Sequence, residues 1–257
     1  MGNPSRRDFE LNEAGWWSKW ARFARLGSSG YILTSDEFRE PFFNRACILN
    51  CKGTNSAVAW AEEKLMARGT ESIITIFESC TSAVRDLRAS GYRLVDTMTV
   101  MLSNTSGRSA GPGSVAIDDR PAADSWTRAY LEAFYGDQEL APHTTSIVSS
   151  LLKLRAATLL EARVGSETAG VLALFRTKGL AGAYCVGTVP EHRKKGVAGE
   201  LLSRANLIAR AEGRHLVLQA LASDVSTSYY LQRGFKAMYS KQLLSKENSN
   251  AKKNKRA

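Results

Sequence analysis

Apolar residues in the second half of the chain recur at helical and strand spacing, with glycine or proline at the breaks. The segment 125–135 places Trp126 and Tyr130 on one helical face. The segment 196–212 has the same periodicity and stops at Gly213, a residue typical of the position just after a helix. The pattern as a whole predicts helices over 125–135, 143–156, 196–212 and 225–233, and strands over 158–164, 169–176, 181–189, 215–221 and 235–244, the last as a strand pair or a bent strand. Helices that alternate with strands in this order predict a mixed α/β sheet.

The first half of the chain repeats the end of this pattern. It predicts a helix over 56–68, a strand over 72–77, a helix over 81–90 and a strand over 94–102. Gly69 follows the first of these helices as Gly213 follows its counterpart, and Gly91 precedes an aromatic residue as Gly234 does. We infer a duplicated domain whose first copy has diverged, with two unrelated α/β segments of similar layout as the alternative.

A stretch rich in glycine, serine and proline separates the two halves. Residues 103–114 read SNTSGRSAGPGS and carry no apolar period, which is typical of a linker. The predicted organisation is therefore a first domain over 1–102, this linker, a second domain over 115–245 and a tail over 246–257. The tail consists mostly of Lys, Asn and Ser, and a segment so poor in apolar residues is expected to be disordered.

Composition fits a folded globular protein with an excess of positive charge. The 257 residues are 44% hydrophobic and 23% charged, enough for two ordinary domains. No apolar run is long enough to cross a bilayer, and no apolar stretch follows the basic N-terminus, so we expect no membrane partner and a cytoplasmic location. Lys252, Lys253, Lys255 and Arg256 of the tail supply four of the ten net positive charges, so we do not expect a nucleic-acid partner. A homodimer is left open.

Cysteine, histidine and tryptophan give no sign of a ligand site. Cys47, Cys51, Cys80 and Cys185 form no CxxC pair, and there are 3 histidines in the whole chain, so we expect no metal. We expect all four thiols to be reduced and mostly buried. The tryptophans grouped near the start of the chain, Trp16, Trp17 and Trp20, are interpreted as packing residues.

The most distinctive local feature is the segment 186–202, VGTVPEHRKKGVAGELL. A buried strand ends, Pro190 interrupts it, a short basic loop follows, and Gly196 begins a helix. The first amides of a helix have no internal partner and the helix dipole is positive at that end, so this arrangement predicts an anion site. Small residues at Gly196 and Ala198 leave room for the anion, and the loop adds the charges of Arg193, Lys194 and Lys195.

A second feature is the segment 223–235, SDVSTSYYLQRGF, in which a loop enters a short helix with two tyrosines that stops at Gly-Phe. Together the two features resemble the cofactor-binding signature of the GNAT N-acetyltransferase superfamily, and the resemblance covers 115–244. It implies an α/β (α+β) fold, in which helices flank a mixed, mostly antiparallel sheet. It also implies that the chain is a tandem of two such domains with a degenerate first copy. It also implies an N-acetyltransferase with acetyl-CoA as cosubstrate, an amine of a small molecule or peptide as acceptor, and no metal.

The resemblance assigns a cofactor role to one strand end and the loop after it. It implies that this strand splays from 215–221, that the pantetheine arm pairs with the strand, and that the loop amides hold the pyrophosphate. The residues so assigned are Val186, Gly187, Thr188, Arg193, Lys194, Lys195, Gly196, Val197, Ala198, Gly199 and Ser223. Tyr230, four residues before Gly234, occupies the place of the tyrosine that protonates the leaving thiolate. Thr188 and Ser223 depart from the valine and asparagine that are common in the family.

The general base is not identified by the sequence. The family often uses a glutamate on the central strand, but 181–189 contains no carboxylate. Glu139, His143, Glu161 and Asp224 are candidates by location, each more typical of a solvated surface, and deprotonation through water is the default hypothesis. The missing carboxylate favours an alternative, a non-catalytic acyl-CoA sensor or pseudoenzyme. The first copy lacks the basic loop, and we expect it to shape the acceptor pocket or cover the second domain.

Overall fold

The computed structural model describes residues 4–40, 42–52, 54–104, 115–224 and 226–246. In chain order its elements are α1 (Arg6–Trp17), β1 (Arg22–Arg25), β2 (Gly30–Thr34), β3 (Arg45–Ile48), α2 (Thr54–Met66), β4 (Ser72–Phe77), α3 (Thr81–Ala89), β5 (Arg93–Ser103), β6 (Ala116–Asp118), α4 (Ala123–Phe134), α5 (Ala141–Leu152), β7 (Ala157–Val164), β8 (Glu167–Thr177), β9 (Leu180–Thr188), α6 (Val197–Ala211), β10 (His215–Leu221), α7 (Ser226–Gln232) and β11 (Phe235–Lys246). The chain forms two compact units, each assembled from separate stretches of sequence.

Unit 1 consists of Met1–Glu13, Leu102–Leu218 and Gly234–Lys236. Its strands form an antiparallel run in the order β6, β7, β8 and β9, and β10 joins β9 in parallel. Helices α4 and α6 both pack against β8 and β9. The predicted mixed, mostly antiparallel sheet flanked by helices is confirmed.

Two glycines show that α4 and α6 cover opposite faces of this sheet. A β-carbon on Gly187 of β9 would meet the ring of Phe134 in α4, and one on Gly170 of β8 would meet the side chain of Val197 in α6. Gly187 pairs with Val171, the neighbour of Gly170 on β8. Because neighbouring residues of a strand face opposite sides, the two helices lie on opposite faces of the sheet.

The first turns of α1 belong to unit 1, although the sequence predicted a first domain over 1–102. The buried Asn12 attaches this helix to the sheet. Its Nδ2 donates to the carbonyl of Phe175 at 3.1 Å and to Oγ1 of Thr177 at 2.9 Å, while the hydroxyl of Tyr184 donates to its Oδ1 at 2.7 Å. No periodic signal in the sequence identifies a single asparagine as such an anchor.

Unit 2 consists of Ala14–Met101, Gln219–Arg233 and Ala237–Ala257. Strands β1, β2 and β3 are antiparallel neighbours, β3 and β4 are parallel, and β11 pairs antiparallel with β4 from Lys241 opposite Phe77 onward. The last strand of the chain therefore completes a sheet that is built mainly from the first hundred residues.

Helices α2 and α3 supply one side of the unit 2 core. Their buried residues recur at helical spacing and so form a single apolar face against the strands. The core cluster includes Ala57, Ala61 and Leu65 of α2, Val84 and Leu87 of α3, Ile48, Ile74 and Ile76 of the parallel strands, and Leu244 of β11.

The predicted repeat is present in the order of the elements. The series strand, helix, strand, helix, strand occurs as β3 to β5 and again as β9 to β11, and the first two strands of each series are parallel. The helix between them is followed in both copies by a glycine with positive φ, +73° at Gly69 and +66° at Gly213. In both copies the amide of the next residue returns to a helix carbonyl, the closing bond of a Schellman cap.

The expectation of four reduced thiols is wrong for two of them. Cys51 and Cys80 form a disulfide with a Cα–Cα distance of 5.3 Å, whereas Cys47 is a buried free thiol and Cys185 is half-buried. Each bonded cysteine follows one of the adjacent parallel strands β3 and β4, so the sheet brings them together across 29 residues of sequence. Sequence spacing alone contains no signal for this pairing.

The interpretation of the early tryptophans as packing residues agrees with the structure. Trp16, Trp17 and Trp20 are all buried. Trp20 stands edge-on to Phe38 with ring centroids 5.9 Å apart, and Trp17 stands edge-on to Phe43 at 5.3 Å. These contacts form an aromatic cluster within unit 2.

Most predicted elements are present with small shifts at their ends. The helix predicted over 143–156 is α5, which begins and ends earlier, at Ala141–Leu152. The final segment is one strand, Phe235–Lys246, rather than a pair, and it includes the first residue assigned to the tail. The short strands β1, β2, β3 and β6 and the helix α1 were not predicted. The rest of the tail, and the linker from residue 105 onward, lie outside the described residues.

Candidate functional site

Strands β9 and β10 begin as a parallel pair and then separate. Leu180 pairs with His215, and the register ends where Gly182 pairs with Val217. Strand β9 nevertheless continues to Thr188, and the described residues include no further pair between the two strands. The edge of β9 that turns toward β10 is therefore left with unpaired backbone groups, as the resemblance implied.

The corresponding strands of unit 2 do not separate. Their register runs to the end of β3, where Ile48 pairs with Ile76. The disulfide between Cys51 and Cys80 joins the chain just after both strands. The first copy therefore has no open strand edge at the place where the second copy has one.

A β-bulge shapes the open edge of β9. Tyr184 and Gly187 pair with alternate residues of β8, so Cys185 and Val186 together stand opposite one residue. Cys185 has φ of 51°, a conformation that non-glycine side chains rarely adopt. The extra residue brings Tyr184 and Gly187 onto the same face of the sheet. Burial also raises the pKa of the Cys185 thiol. Sequence reasoning missed this bulge because no glycine indicates it.

The chain between β9 and α6 makes a short 3-10 turn over Pro190–His192, and two of the residues after it have a left-handed backbone conformation. Lys194 has φ of 64° and Gly196 has φ of 84°. Gly196 is the N-cap residue of α6, and the helix start has no side-chain capping hydrogen bond. The first bond of the helix ladder runs from the amide of Glu200 to the Gly196 carbonyl, so the amides of Val197 and the two residues after it precede the ladder.

The start of α6 has the features of the predicted anion site. Lys194, Lys195 and Gly196 are exposed, and a β-carbon on Gly196 would meet no atom within 4 Å. Ala198 and Gly199 follow on the first turn and are half-buried. The space in front of the helix start is open. It is bordered by the positive end of the helix dipole, by the first amides of the helix and by two lysines.

Arg193 has structural contacts in addition to the charge that the sequence predicted it to supply. Its side chain is exposed, and its guanidinium donates to two backbone carbonyls. Nε donates to Thr188 at 3.3 Å, and Nη2 donates to Ala133 at 3.2 Å. Arg193 therefore links the end of β9 and the loop to the last turn of α4.

His192 anchors the same loop to strand β8. Its side chain is buried, and Nε2 lies 3.2 Å from Oε2 of Glu167 on β8. Its amide donates to the carbonyl of Val189 at 2.9 Å. The histidine was not singled out from the sequence, where only its position between Pro190 and the basic residues set it apart.

Glu161 is not the solvated residue that the sequence led us to expect. It is 1% exposed, and its carboxylate accepts three hydrogen bonds. Ser125 Oγ donates at 2.6 Å, Thr168 Oγ1 at 3.0 Å and Arg163 Nη1 at 3.1 Å. Because three donors from this chain engage its oxygens, Glu161 is interpreted as a structural residue.

The other candidate bases lie in different surroundings. Glu139 is exposed in the segment between α4 and α5, and His143 is half-buried in the first turn of α5. Asp224 is exposed and belongs to unit 2. The structure singles out none of the three as a base.

Tyr230 belongs to α7 in unit 2 and is 8% exposed. Burial raises the pKa of its phenol above the ordinary value, and the charges of Asp224 and Tyr229 raise it further. Its neighbour Tyr229 is half-buried and lies under the guanidinium of Arg233, 3.5 Å from the ring centroid. The two adjacent tyrosines thus differ in environment, as expected for successive positions on a short helix.

Ser223 also lies in unit 2, and its hydroxyl is engaged by a carboxylate. Oγ donates to Oδ2 of Asp96, and the Ser223 amide donates to Oδ1 at 3.2 Å. Burial pushes the pKa of Asp96 upward, but hydrogen bonds from Ser223 and from the amides of Thr97 and Ala222 outweigh it and hold the pKa below its usual value. Ser223 therefore has a structural partner in addition to the cofactor role that the resemblance assigned to it.

The described residues contain neither a candidate metal site nor a candidate membrane span. Over the described stretches of the chain, no three His, Cys, Asp or Glu side chains are grouped so that they could hold a metal ion. Within the same stretches, no helix has the length and apolar character needed to cross a bilayer.

Comparisons with solved structures identify the fold. A GCN5-related N-acetyltransferase from Kribbella flavida aligns over 92% of this chain and 93% of its own, with a TM-score of 0.68 and 14% identity. One from Sphaerobacter thermophilus aligns over 86% and 77%, with a TM-score of 0.65 and 19% identity. A tandem GNAT protein from the clavulanic acid biosynthesis pathway aligns over 80% and 75%, with a TM-score of 0.55 and 14% identity. The sequence matches no protein-family model and no curated protein. The chain has the GCN5-related N-acetyltransferase fold, and its length suits the tandem form.

Proposed function

We propose that the protein is an N-acyltransferase that moves an acetyl group from acetyl-CoA to an amine by direct attack. The observation that carries this proposal is the open edge of β9, which leads directly into the uncapped start of α6. An extended amide-containing arm fits the first feature, and a diphosphate fits the second.

The residues of unit 1 fit acetyl-CoA as the donor. The amides of Val197, Ala198 and Gly199 would bind the diphosphate, with Lys194 and Lys195 adding positive charge beside them. The unpaired backbone of β9 around Val186 to Thr188 would pair with the amides of the pantetheine arm, as an added strand pairs with a sheet edge. The donor molecule supplies a thioester carbonyl, which is the group that the amine attacks.

The reaction forms a carbon–nitrogen bond and breaks the carbon–sulfur bond of the thioester. The amine loses one proton and the leaving thiolate gains one, so an acid and a base are needed. We assign the acid to Tyr230, because burial keeps its phenol protonated. We assign the base to water, because β9 carries no carboxylate and Glu161 is held by three donors. The raised pKa of the Cys185 thiol disfavours a route through a covalent enzyme intermediate.

The missing base favours a second candidate function, an acyl-CoA sensor without turnover. Both functions require the same donor site, and they differ only in whether thiol is released. The proposal is tested by mixing the purified full chain with acetyl-CoA and a panel of primary amines, and by measuring free thiol over time. Amine-dependent thiol release supports the transferase. Calorimetric binding of acetyl-CoA with no release across the panel supports the sensor, and no binding at all refutes both.

A further inference from the structure

The most unusual apolar side chain near the open edge of β9 is Phe134, at the end of α4. Its residue is 52% exposed, although phenylalanine is usually buried. The ring lies on the backbone of β9, because a β-carbon on Gly187 would stand 2.7 Å from its Cε2. Glycine at position 187 therefore lets an aromatic ring rest directly beside the strand edge.

The ring of Phe134 is held in place by other aromatic residues. Its centroid is 5.2 Å from that of Tyr130, which in turn stacks on Trp126 at 5.5 Å with an interplanar angle of 14°. Trp126 is fixed to the sheet by a hydrogen bond of 3.1 Å from Nε1 to the carbonyl of Leu160. An exposed ring with such support is a pre-organised apolar surface, which costs little entropy to bind against.

The end of α4 is held to the loop at the start of α6 by the Arg193 bond to the carbonyl of Ala133. The helix then stops at Gly136, whose amide and that of Tyr135 both donate to the carbonyl of Leu131. Hydrogen bonds of the residues just before and just after Phe134 thus hold it in position beside β9.

The segment after Phe134 adds negative charge. Asp137 and Glu139 are both exposed, and the intervening Gln138 ties the segment to α4 by donating to the carbonyl of Arg128 at 3.2 Å. Most primary amines are cations at neutral pH, so exposed carboxylates in the segment that follows Phe134 would attract them to this end of α4.

We propose that the exposed face of Phe134 is a wall of the acceptor site, and that it selects primary amines whose carbon skeleton is flat and apolar. This inference rests on the proposed function and specifies its acceptor class. The amine end of such a molecule would lie toward the edge of β9, and its apolar end would pack on the Phe134 ring.

The test compares 2-phenylethylamine with ethanolamine, two primary amines that differ in the group attached to the same two-carbon chain. Thiol release from acetyl-CoA is measured with the wild type, with Phe134→Ala and with Phe134→Leu. Leu152→Ala is the control, because Leu152 is another exposed apolar residue of unit 1, at 38%. We expect a wild-type preference for 2-phenylethylamine of about tenfold or more in kcat/KM. Phe134→Ala should abolish it, Phe134→Leu should retain part of it, and KM for acetyl-CoA should change less than about twofold.

Binding of the two amines to the protein saturated with CoA is measured in parallel by calorimetry. If thiol is never released but Phe134→Ala removes tighter binding of 2-phenylethylamine, the apolar wall is supported and the transferase proposal fails. If the two amines release thiol from acetyl-CoA with equal efficiency, or if Phe134→Ala keeps the preference, the wall is refuted and the transferase proposal stands. Equal binding of both amines without turnover overturns the two together.

Discussion

Gly170 of β8 packs directly against Val197, the first residue of α6. A β-carbon at position 170 would be 2.8 Å from Cγ1 of Val197 and 2.6 Å from the carbonyl oxygen of Gly187. The backbone oxygen cannot rotate away, so a larger residue must push β9 or the start of α6 out of place. The packing of one strand residue thus sets the position of the proposed diphosphate site.

We expect Gly170→Ala to lower the free energy of unfolding by about 1–3 kcal/mol, the usual cost of overpacking. Because the start of α6 must move, acetyl-CoA should also bind more weakly. Urea denaturation and calorimetry measure the two effects. Adding Val197→Ala removes Cγ1 from the contact, so the double variant should regain part of the lost affinity. An affinity equal to that of the wild type in Gly170→Ala would contradict this account.

Gly196→Glu should abolish detectable acetyl-CoA binding. The substitution puts a carboxylate at the helix start in a residue that has φ of 84°, and like charges brought together cost several kcal/mol, or about 100-fold in affinity. Gly165→Glu is a matched control, because Gly165 also has a positive φ of 62° and open space around it but lies in the β7–β8 turn. Calorimetry should show loss of binding only at position 196. Similar losses in both variants would indicate a general effect of charge.

Arg193→Lys distinguishes the charge of this residue from its geometry. Lysine keeps the positive charge but lacks the planar group that donates to Thr188 and Ala133 together. We expect KM for acetyl-CoA to rise about five- to tenfold, the value of two lost hydrogen bonds at a partly exposed site. Lys194→Ala removes a charge from the same loop and serves as the comparison. Wild-type kinetics in Arg193→Lys would mean that charge alone matters.

Tyr230→Phe should lower kcat by about 100-fold while the affinity for acetyl-CoA stays within about twofold. The same assignment predicts a pH dependence. A general acid works while it is protonated, and burial raises the pKa of Tyr230 above the ordinary tyrosine value of about 10. Its activity should therefore not decline on the alkaline side until the pH exceeds that value. An equal loss of kcat and affinity in Tyr230→Phe would count against the acid role.

Replacing both Cys51 and Cys80 by serine should destabilise unit 2 without weakening the binding of acetyl-CoA at the start of α6 in unit 1. The disulfide closes a loop across 29 residues, and the chain-entropy relation gives about 3–4 kcal/mol for a loop of that length. Urea denaturation with and without a thiol reductant measures the effect, and the reductant should not change the double variant. Unchanged stability of the wild type under reduction would show that the bond contributes little.

The start of α6 could be predicted from the sequence because the signal there is local. Proline stops a strand, glycine supplies a left-handed step, and an apolar period follows, all within a few residues near Gly196. The resemblance added the separation of β9 from β10. The helix start depends on short-range chemistry that a sequence shows directly, whereas the separation of the strands was implied only by the resemblance.

The features that the sequence did not reveal depend on contacts between distant residues. The bulge at Cys185 has no glycine to indicate it, and the ring of Phe134 reaches Gly187 only because α4 packs on β9. Glu161 looked like a surface carboxylate because its three donors come from other parts of the chain or from flanking positions. Such roles are set by the tertiary fold, which periodicity does not encode.

The pairing of β11 with β4 has a consequence for how this protein is made. Unit 2 takes most of its residues from Ala14–Met101 but needs Phe235–Lys246, which a ribosome synthesises only after Leu102–Leu218 of unit 1. During synthesis the edge of β4 that pairs with β11 stays open until that strand has been made, and an open edge is a template to which foreign strands can add. The interval between the synthesis of β4 and that of β11 is therefore a period of aggregation risk, which ends when the two strands pair.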